Sequence, residues 1–401
     1  MSKFKMVLIT IISVLSFLML SGCDNDKAAD NIPVMTQQQD QNESKLNKSA
    51  NTKSYSKSAD ELQNMEQKQL HQDVQKKKIR IKAIGDIMLA RGVAYHTKGD
   101  YLLPFKETAE FLKDADITFA NLECTLSTKG EKLINKGIWL RAEPKAVEGL
   151  KYADIDIVNI ANNHILDYND PAMLETIEVL EQNNIRHIGA GKNIDDARKP
   201  SIIEVQGVRV GFLAYSDMYQ YGFGIPGKKE LRYFEAKSDK GGIAPLKYEY
   251  IKQDIQKLRN QVDLLAVSLH WGVEDSHHVP PEQRELAHKI MDDGVDIILG
   301  HHPHELQGIE IYKGKPIVYS MGNFIFDQNH KDNNESMIVD VDFVNGEVVR
   351  LEVIPLQIVA KKQTVFAKGQ DAEHIMEYLK DLSQQLNTKA EIQGNKLRFN
   401  K

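Results

Sequence analysis

Seven side chains that can ligate a metal or handle a proton each fall just past the end of a short apolar run: Asp86, Glu123, Asn163, His164, His270, His302 and His304. Imidazole nitrogen suits zinc, iron and manganese, and carboxylate and amide oxygens suit harder ions. A set mixing these donors points to a divalent transition metal. Seven of the 13 histidines lie between His270 and His304, which concentrates the imidazoles in one stretch. In His302-Pro303-His304, residues two apart on an extended segment point the same way. Pro303 removes a backbone donor and stiffens the link. His277, His278 and His288 read as surface residues, and His301 as a support for its neighbours. Asp86 after Gly85 also fits a turn.

The runs that must position these residues are short and rich in β-branched residues, as buried strands are. Ile79, Ile81 and Ala83 alternate with Arg80 and Lys82 before Gly85-Asp86. Residues 116–120 lead into Asn121-Leu122-Glu123, and 155–160 into Ala161-Asn162-Asn163-His164. Residues 264–269 lead into His270, and 295–299 into Gly300-His301-His302-Pro303-His304. Helical patterns over 171–183, 246–260 and 281–293 alternate with them, the first with Asp170 as its expected N-cap. This alternation predicts an α/β fold whose ligands gather at the carboxyl ends of the strands. Gln206-Gly207 and Asn345-Gly346 between β-rich runs predict two hairpins, and a last helix is expected over 371–386. The glycine-rich 222–227 reads as a mobile loop.

The chain of 401 residues is 41% hydrophobic and 27% charged, with a net charge of -6. That balance argues against a nucleic-acid partner, which calls for a basic face. Residues 1–23 differ from the rest. Lys3 and Lys5 precede an apolar run over 6–20, too short for a confident membrane span and suited to a secretory signal. Leu20-Ser21-Gly22-Cys23 then resembles a lipobox, with Cys23 as the lipidated residue. Residues 24–78 are rich in Gln, Asn, Lys and Ser and read as a solvated tether. The expected organisation is a signal peptide over 1–23, a tether over 24–78 and a domain over 79–330. A hairpin and helix over 331–401 complete that domain. The body would then sit outside the cytoplasm on a lipid anchor. Cys124, the other of two cysteines, has no internal partner once Cys23 is acylated. No serine elbow, phosphate loop or dinucleotide turn is present.

Six blocks carry a family resemblance: Gly85-Asp86-Ile87-Met88, Asn121-Leu122-Glu123, Ala161-Asn162-Asn163-His164 with Asp167, His270-Trp271-Gly272-Val273-Glu274, Gly300-His301-His302-Pro303-His304 and Ser320-Met321-Gly322-Asn323-Phe324. In order and spacing the sequence resembles the CapA-type poly-γ-glutamate capsule biosynthesis family, a branch of the calcineurin-like metallophosphoesterase superfamily. The resemblance implies a four-layer α/β/β/α sandwich. It makes Asp86, Asn163, His270, His302 and His304 metal-ligand candidates for one or two ions of Mn, Zn or Fe. Glu123 joins them from its place at a strand end. His164 would be the proton-handling catalytic residue, oriented by Asp167. The chain departs from the phosphoesterase pattern in two places. Ile87-Met88 follow Asp86 where that pattern has Asp-x-His, and Asn121-Leu122-Glu123 stands for Gly-Asp-x-x-Asp. One metal site is thus a ligand short. The resemblance implies a role in making, moving or anchoring poly-γ-glutamate or a similar anionic polymer, in company with a membrane synthase. Arg91, Lys136, Arg141, Glu274 and Asn323 are substrate-binding candidates, the three cations also reading as solvated surface residues. The rival expectations are a metal-dependent phosphoesterase of envelope phosphate esters and a non-catalytic polymer-binding module.

Overall fold

The computed structural model describes residues 77–400. The expected signal segment, Cys23 and all but the last two residues of the expected tether lie outside them. Among the described residues no helix is long and apolar enough to cross a membrane.

Two mixed sheets stack face to face. In the ten-stranded sheet, Lys78–Ile87, Ile117–Leu122, Ile157–Asn159 and Arg186–Ile188 run parallel as neighbours. The antiparallel pair Glu335–Val344 and Glu347–Val359 continues the sheet on the other side of the first strand. In the six-stranded sheet, Lys315–Val318, Ile297–His301, Leu264–His270 and Val208–Ser216 are parallel. Ile309–Tyr312 and Ser201–Val205 are its antiparallel edges.

Alternation of side chains along each strand builds the layers. Val210, Phe212, Leu264, Ala266, Ile297 and Leu299 point inward and share one core with Ile79, Ile81, Phe119 and Val341 of the other sheet. Phe119 stacks on Phe212 across this interface with ring centroids 6.0 Å apart. The intervening residues Leu213, Leu265, Val267 and Ile298 face outward onto Ile251, Ile255, Ala287 and Ile290. Those four belong to the helices Tyr248–Leu258 and Pro281–Asp292. On the far side of the ten-stranded sheet, Thr118 Oγ1 donates to the carbonyl of Leu112 in the helix Ala109–Leu112. The result is the four-layer α/β/β/α sandwich.

Both two-residue hairpin turns hold positive φ at each position, Gln206 and Gly207 at 53° and 74°, Asn345 and Gly346 at 51° and 83°, as twisted ladders require. Three local expectations change. Asp170 is not the N-cap of its helix, which runs Asn169–Gln182; its carboxylate instead holds the buried Arg232 at 2.6 Å. Gly222–Gly224 is no free loop but pairs antiparallel with Leu231–Tyr233. His288 is half-buried, bonded to Glu310 at 2.9 Å and stacked on Tyr312.

Candidate metal centre

Gly85-Asp86 lies within the first strand, not in a turn. Its pairing with Ile117–Leu122 slips between Ala83 and Asp86, and the Asp86 amide donates to Gly322 O at 3.0 Å. A Cβ on Gly85 would stand 2.0 Å from that same carbonyl oxygen, so glycine lets the two segments touch. Gly300 plays the same part before His301, where a Cβ would lie 1.9 Å from Tyr319 O. These contacts bring the strand ends of both sheets to one buried spot.

Asp86 is fully buried. Its Oδ1 accepts from Asn121 Nδ2 at 2.8 Å and lies 3.0 Å from His301 Nδ1. Its Oδ2 is 3.6 Å from His304 Nδ1. Asn121 also reaches Glu123 Oε2 at 3.4 Å and His270 Nδ1 at 3.4 Å. Its own Oδ1 accepts from Asn162 at 3.3 Å. Asn163 Oδ1 meets His270 Nε2 at 3.0 Å. The rings of His270 and His302 are 4.8 Å apart. Glu123 Oε1 faces His304 Nε2 at 3.7 Å and His164 Nε2 at 3.9 Å. Asn323 Oδ1 holds His304 Nδ1 at 2.9 Å.

His302 and His304 do share this pocket, but not as an extended pair. Their φ values are 100° and 61°, so the segment bends sharply, and the ring centroids are 6.3 Å apart. Pro303 stiffens a bend, not a strand.

Charge follows this packing. Burial works against ionised Asp86, yet hydrogen bonds from His301 and His304 hold its carboxyl well below the usual carboxylate range. Burial pushes Glu123 well above that range, with Asp86 and Glu274 adding to the shift. Burial lowers His302 to about 3 and His164 to about 4. It also takes His270 well below the ordinary imidazole value. Burial opposes charge on His304 too, but Glu123 and Asp86 outweigh it and raise His304 to about 10. The neutral imidazoles of His270 and His302 are in the form a metal takes up, whereas His304 would have to give up its proton to bind one.

The donor set fits a cation. Ligand atoms of Asp86, Glu123 and His270 all lie within 4.8 Å of one another. Glu123 Oε1 and His302 Nδ1, on two of the candidate ligands, are buried without a hydrogen-bond partner, a cost that a bound ion would relieve; His301 Nε2 is also unpartnered.

His164 stands beside this cluster. Asp167 Oδ2 lies 2.8 Å from His164 Nδ1, and Lys136 Nζ lies 2.8 Å from Asp167 Oδ1 and 3.3 Å from His164 Nδ1. The Lys136 side chain is only 6% exposed, which overturns its reading as a solvated surface cation. Arg91 pairs with Asp327 and lies over Phe326, whose ring packs on His304. Arg141 is drawn away from the cluster, bonded to the carbonyls of Lys129 and Gly130 and lying over Tyr168. Glu274 is exposed and acts on the cluster through its charge. Sequence reasoning missed Asn121 and Asn162, which cross-link the site. The signal for Asn121 was its place at a strand end two residues before Glu123.

Residues 80–328 match the model of the family described as bacterial capsule synthesis protein PGA_cap, and the chain belongs to that family. It is 31% identical over 293 residues to the capsule biosynthesis protein CapA of Bacillus anthracis, covering 70% of this chain and 68% of that one. It is 30% identical over 321 residues to the PGA biosynthesis protein CapA of Bacillus subtilis, covering 79% and 80%. A looser likeness, 13% identical with a TM-score of 0.43, covers 78% of this chain and 99% of the calcineurin-like phosphoesterase YfkN from Bacillus subtilis.

Proposed function

We propose that this protein serves the synthesis, export or anchoring of poly-γ-glutamate or a related anionic envelope polymer, through a buried divalent metal centre at the strand ends. One observation carries the reading: two carboxylates and an imidazole from the two sheets, those of Asp86, Glu123 and His270, converge within 4.8 Å, and three buried atoms of the surrounding cluster have no hydrogen-bond partner. The names of its family and of the two Bacillus relatives supply the polymer class. The leader ending at Cys23 supplies the placement, a lipid-anchored body outside the cytoplasmic membrane within reach of a membrane synthase.

Asp86, Glu123, His270, His302 and His304 would hold one or two ions of Mn, Zn or Fe, with Asn163 as a further oxygen donor. A bound ion of this kind polarises a carbonyl or phosphoryl oxygen and lowers the pKa of bound water. The protein's own part is to place groups around that point. Asn121 and Asn323 fix the orientation of Asp86 and His304. His164, kept neutral by burial and oriented by Asp167, presents Nε2 toward Glu123 and can hold or pass a proton there. Lys136 braces Asp167 from behind.

A second reading, metal-dependent hydrolysis of envelope phosphate esters, is favoured by the His164–Asp167 pair beside the carboxylates, since the neutral His164 can take a proton from the attacking water at Nε2 and return it to the leaving oxygen. Both readings are tested on the full-length chain by elemental analysis, poly-γ-glutamate chain length on gels and turnover of a chromogenic phosphodiester. Bound metal with polymer shortening that is lost in His164→Ala supports the first reading. Phosphodiester turnover lost in the same variant supports the second. Unchanged metal content in both Asp86→Ala and His302→Ala overturns the centre itself.

A further inference from the structure

His277 is not a surface residue with a free ring. Its Nδ1 donates to the carbonyl of Leu306 at 2.8 Å, which fixes the ring and turns Nε2 toward two carboxylates. Nε2 lies 3.0 Å from Glu305 Oε2 and 3.7 Å from Asp332 Oδ2. The ligand atoms of all three residues fall within 4.8 Å of one another. Tyr378 packs edge-on against the imidazole at 4.8 Å. The neighbouring carboxylates are engaged elsewhere: Asp275 accepts from Asn333 Nδ2 at 2.9 Å, and Glu335 lies 3.3 Å from His374 and 3.4 Å from Lys331.

We propose that His277, Glu305 and Asp332 form a second divalent-cation site, separate from the central cluster and structural in role. A histidine whose other ring nitrogen is anchored on a backbone carbonyl is the usual arrangement of a metal-ligating imidazole. One imidazole nitrogen and two carboxylate oxygens suit zinc or manganese, with water completing the shell. The three residues come from the segment after the strand Leu264–His270, from the bend that carries His302 and His304, and from the turn Asp332–Asn334. An ion there would clamp these segments together. The clamp bears on the centre, because Glu305 directly follows His304. Asn323 ties the same parts, bonding His304 Nδ1 at 2.9 Å and Asn333 O at 2.9 Å.

The test is a zinc count on the metal-stripped full-length chain after dialysis against Zn²⁺. The His277→Gln/Asp332→Asn double variant is expected to bind one equivalent fewer than the parent. The same loss of one is expected when the pair is added to Asp86→Ala, which separates this site from the central one. Equal counts with and without the double variant would show the His277–Glu305 contact to be an ion pair only and overturn the proposal. Asp332→Asn alone is conservative and solvent-facing. It is expected to weaken one class of Zn²⁺ site by about tenfold while the metal-free unfolding midpoint stays put. Unchanged Zn²⁺ affinity in that variant also overturns the proposal.

Discussion

The two sheets bring different chemistry to the same spot. The ten-stranded sheet delivers oxygens and amides: Asp86, Asn121, Glu123, Asn162 and Asn163. The six-stranded sheet delivers nitrogens: His270 and His301 at strand ends, with His302 and His304 in the bend that follows. The oxygen side is cross-linked to itself, with Asn121 reaching Asp86, Glu123 and Asn162. On the nitrogen side, His301 Nε2 and His302 Nδ1 have no partner. The oxygen side is thus a network bonded within itself save for Glu123 Oε1, while the nitrogen side is bonded only outward, His270 to Asn121 and Asn163 and His304 to Asn323. The oxygen side therefore sets the geometry, and the free lone pairs a metal would take are mostly those of the nitrogen side, with Glu123 Oε1 added.

Breaking the oxygen side should therefore cost most. Asp86→Ala leaves the Asn121 amide and the His301 ring without their acceptor, and each buried group left unsatisfied costs about 1–3 kcal/mol. Loss of bound metal to background, with a denaturant midpoint lowered to match, is the expected result; retained metal would contradict it. On the nitrogen side, Asn323→Ala removes the partner that orients His304. A fall in metal affinity of about 10–100-fold is expected from losing such a support, measured by competition with a chelator, with the denaturant midpoint also lowered because the buried Asn323 amide donates to Asn333 O as well. Lys136→Met tests the brace behind Asp167. It should lower the rate of whichever reaction the protein performs by about tenfold while leaving metal content intact; metal loss would instead place Lys136 in the architecture of the centre.

The smallest effect sharpens the contrast from the nitrogen sheet, which also ends a strand on a carboxylate. Asp217 follows Val208–Ser216 and accepts from the Gly272 amide at 3.1 Å. Burial raises its carboxyl to about 7, against that amide's pull downward, and its Oδ1 has no partner. A carboxyl whose pKa is higher folded than unfolded favours folding when protonated. The contribution of this one carboxyl to stability therefore falls as pH rises from about 4 to 7. Asp217→Asn removes this penalty, so the variant should be more stable than the parent by about 1–3 kcal/mol at pH 8. The gap should close toward pH 4 in thermal melts, and a constant gap across that range would refute the assignment.

Much of this molecule was legible in its residues. The β-branched runs that end on Asp86, Glu123, His270 and His301 are strands whose carboxyl ends meet, because burial on both faces makes a strand apolar throughout and leaves polar residues only where it stops. The two hairpins followed from Gln206-Gly207 and Asn345-Gly346, since few residues accept positive φ at consecutive positions. Lys136 was picked out as a cation, but its buried place was not legible. Its loop carries no periodicity, and only the fold shows that its ammonium lies buried against Asp167. His277 and His288 were hidden for the same reason, their partners Glu305 and Glu310 being some twenty to thirty residues away.

The order of residues already contains which donors exist and that they stand at or just past strand ends, because alternation and chain reversal are local properties of the backbone. Tertiary structure alone decided which atoms face one another. It set the bend at Pro303 that turns His302 and His304 into the pocket. It set the contacts at Gly85 and Gly300 that let neighbouring segments touch, and it left Glu123, His301 and His302 with buried atoms that nothing in the protein satisfies. Those outcomes depend on packing between residues distant along the chain, and no local rule of spacing contains them.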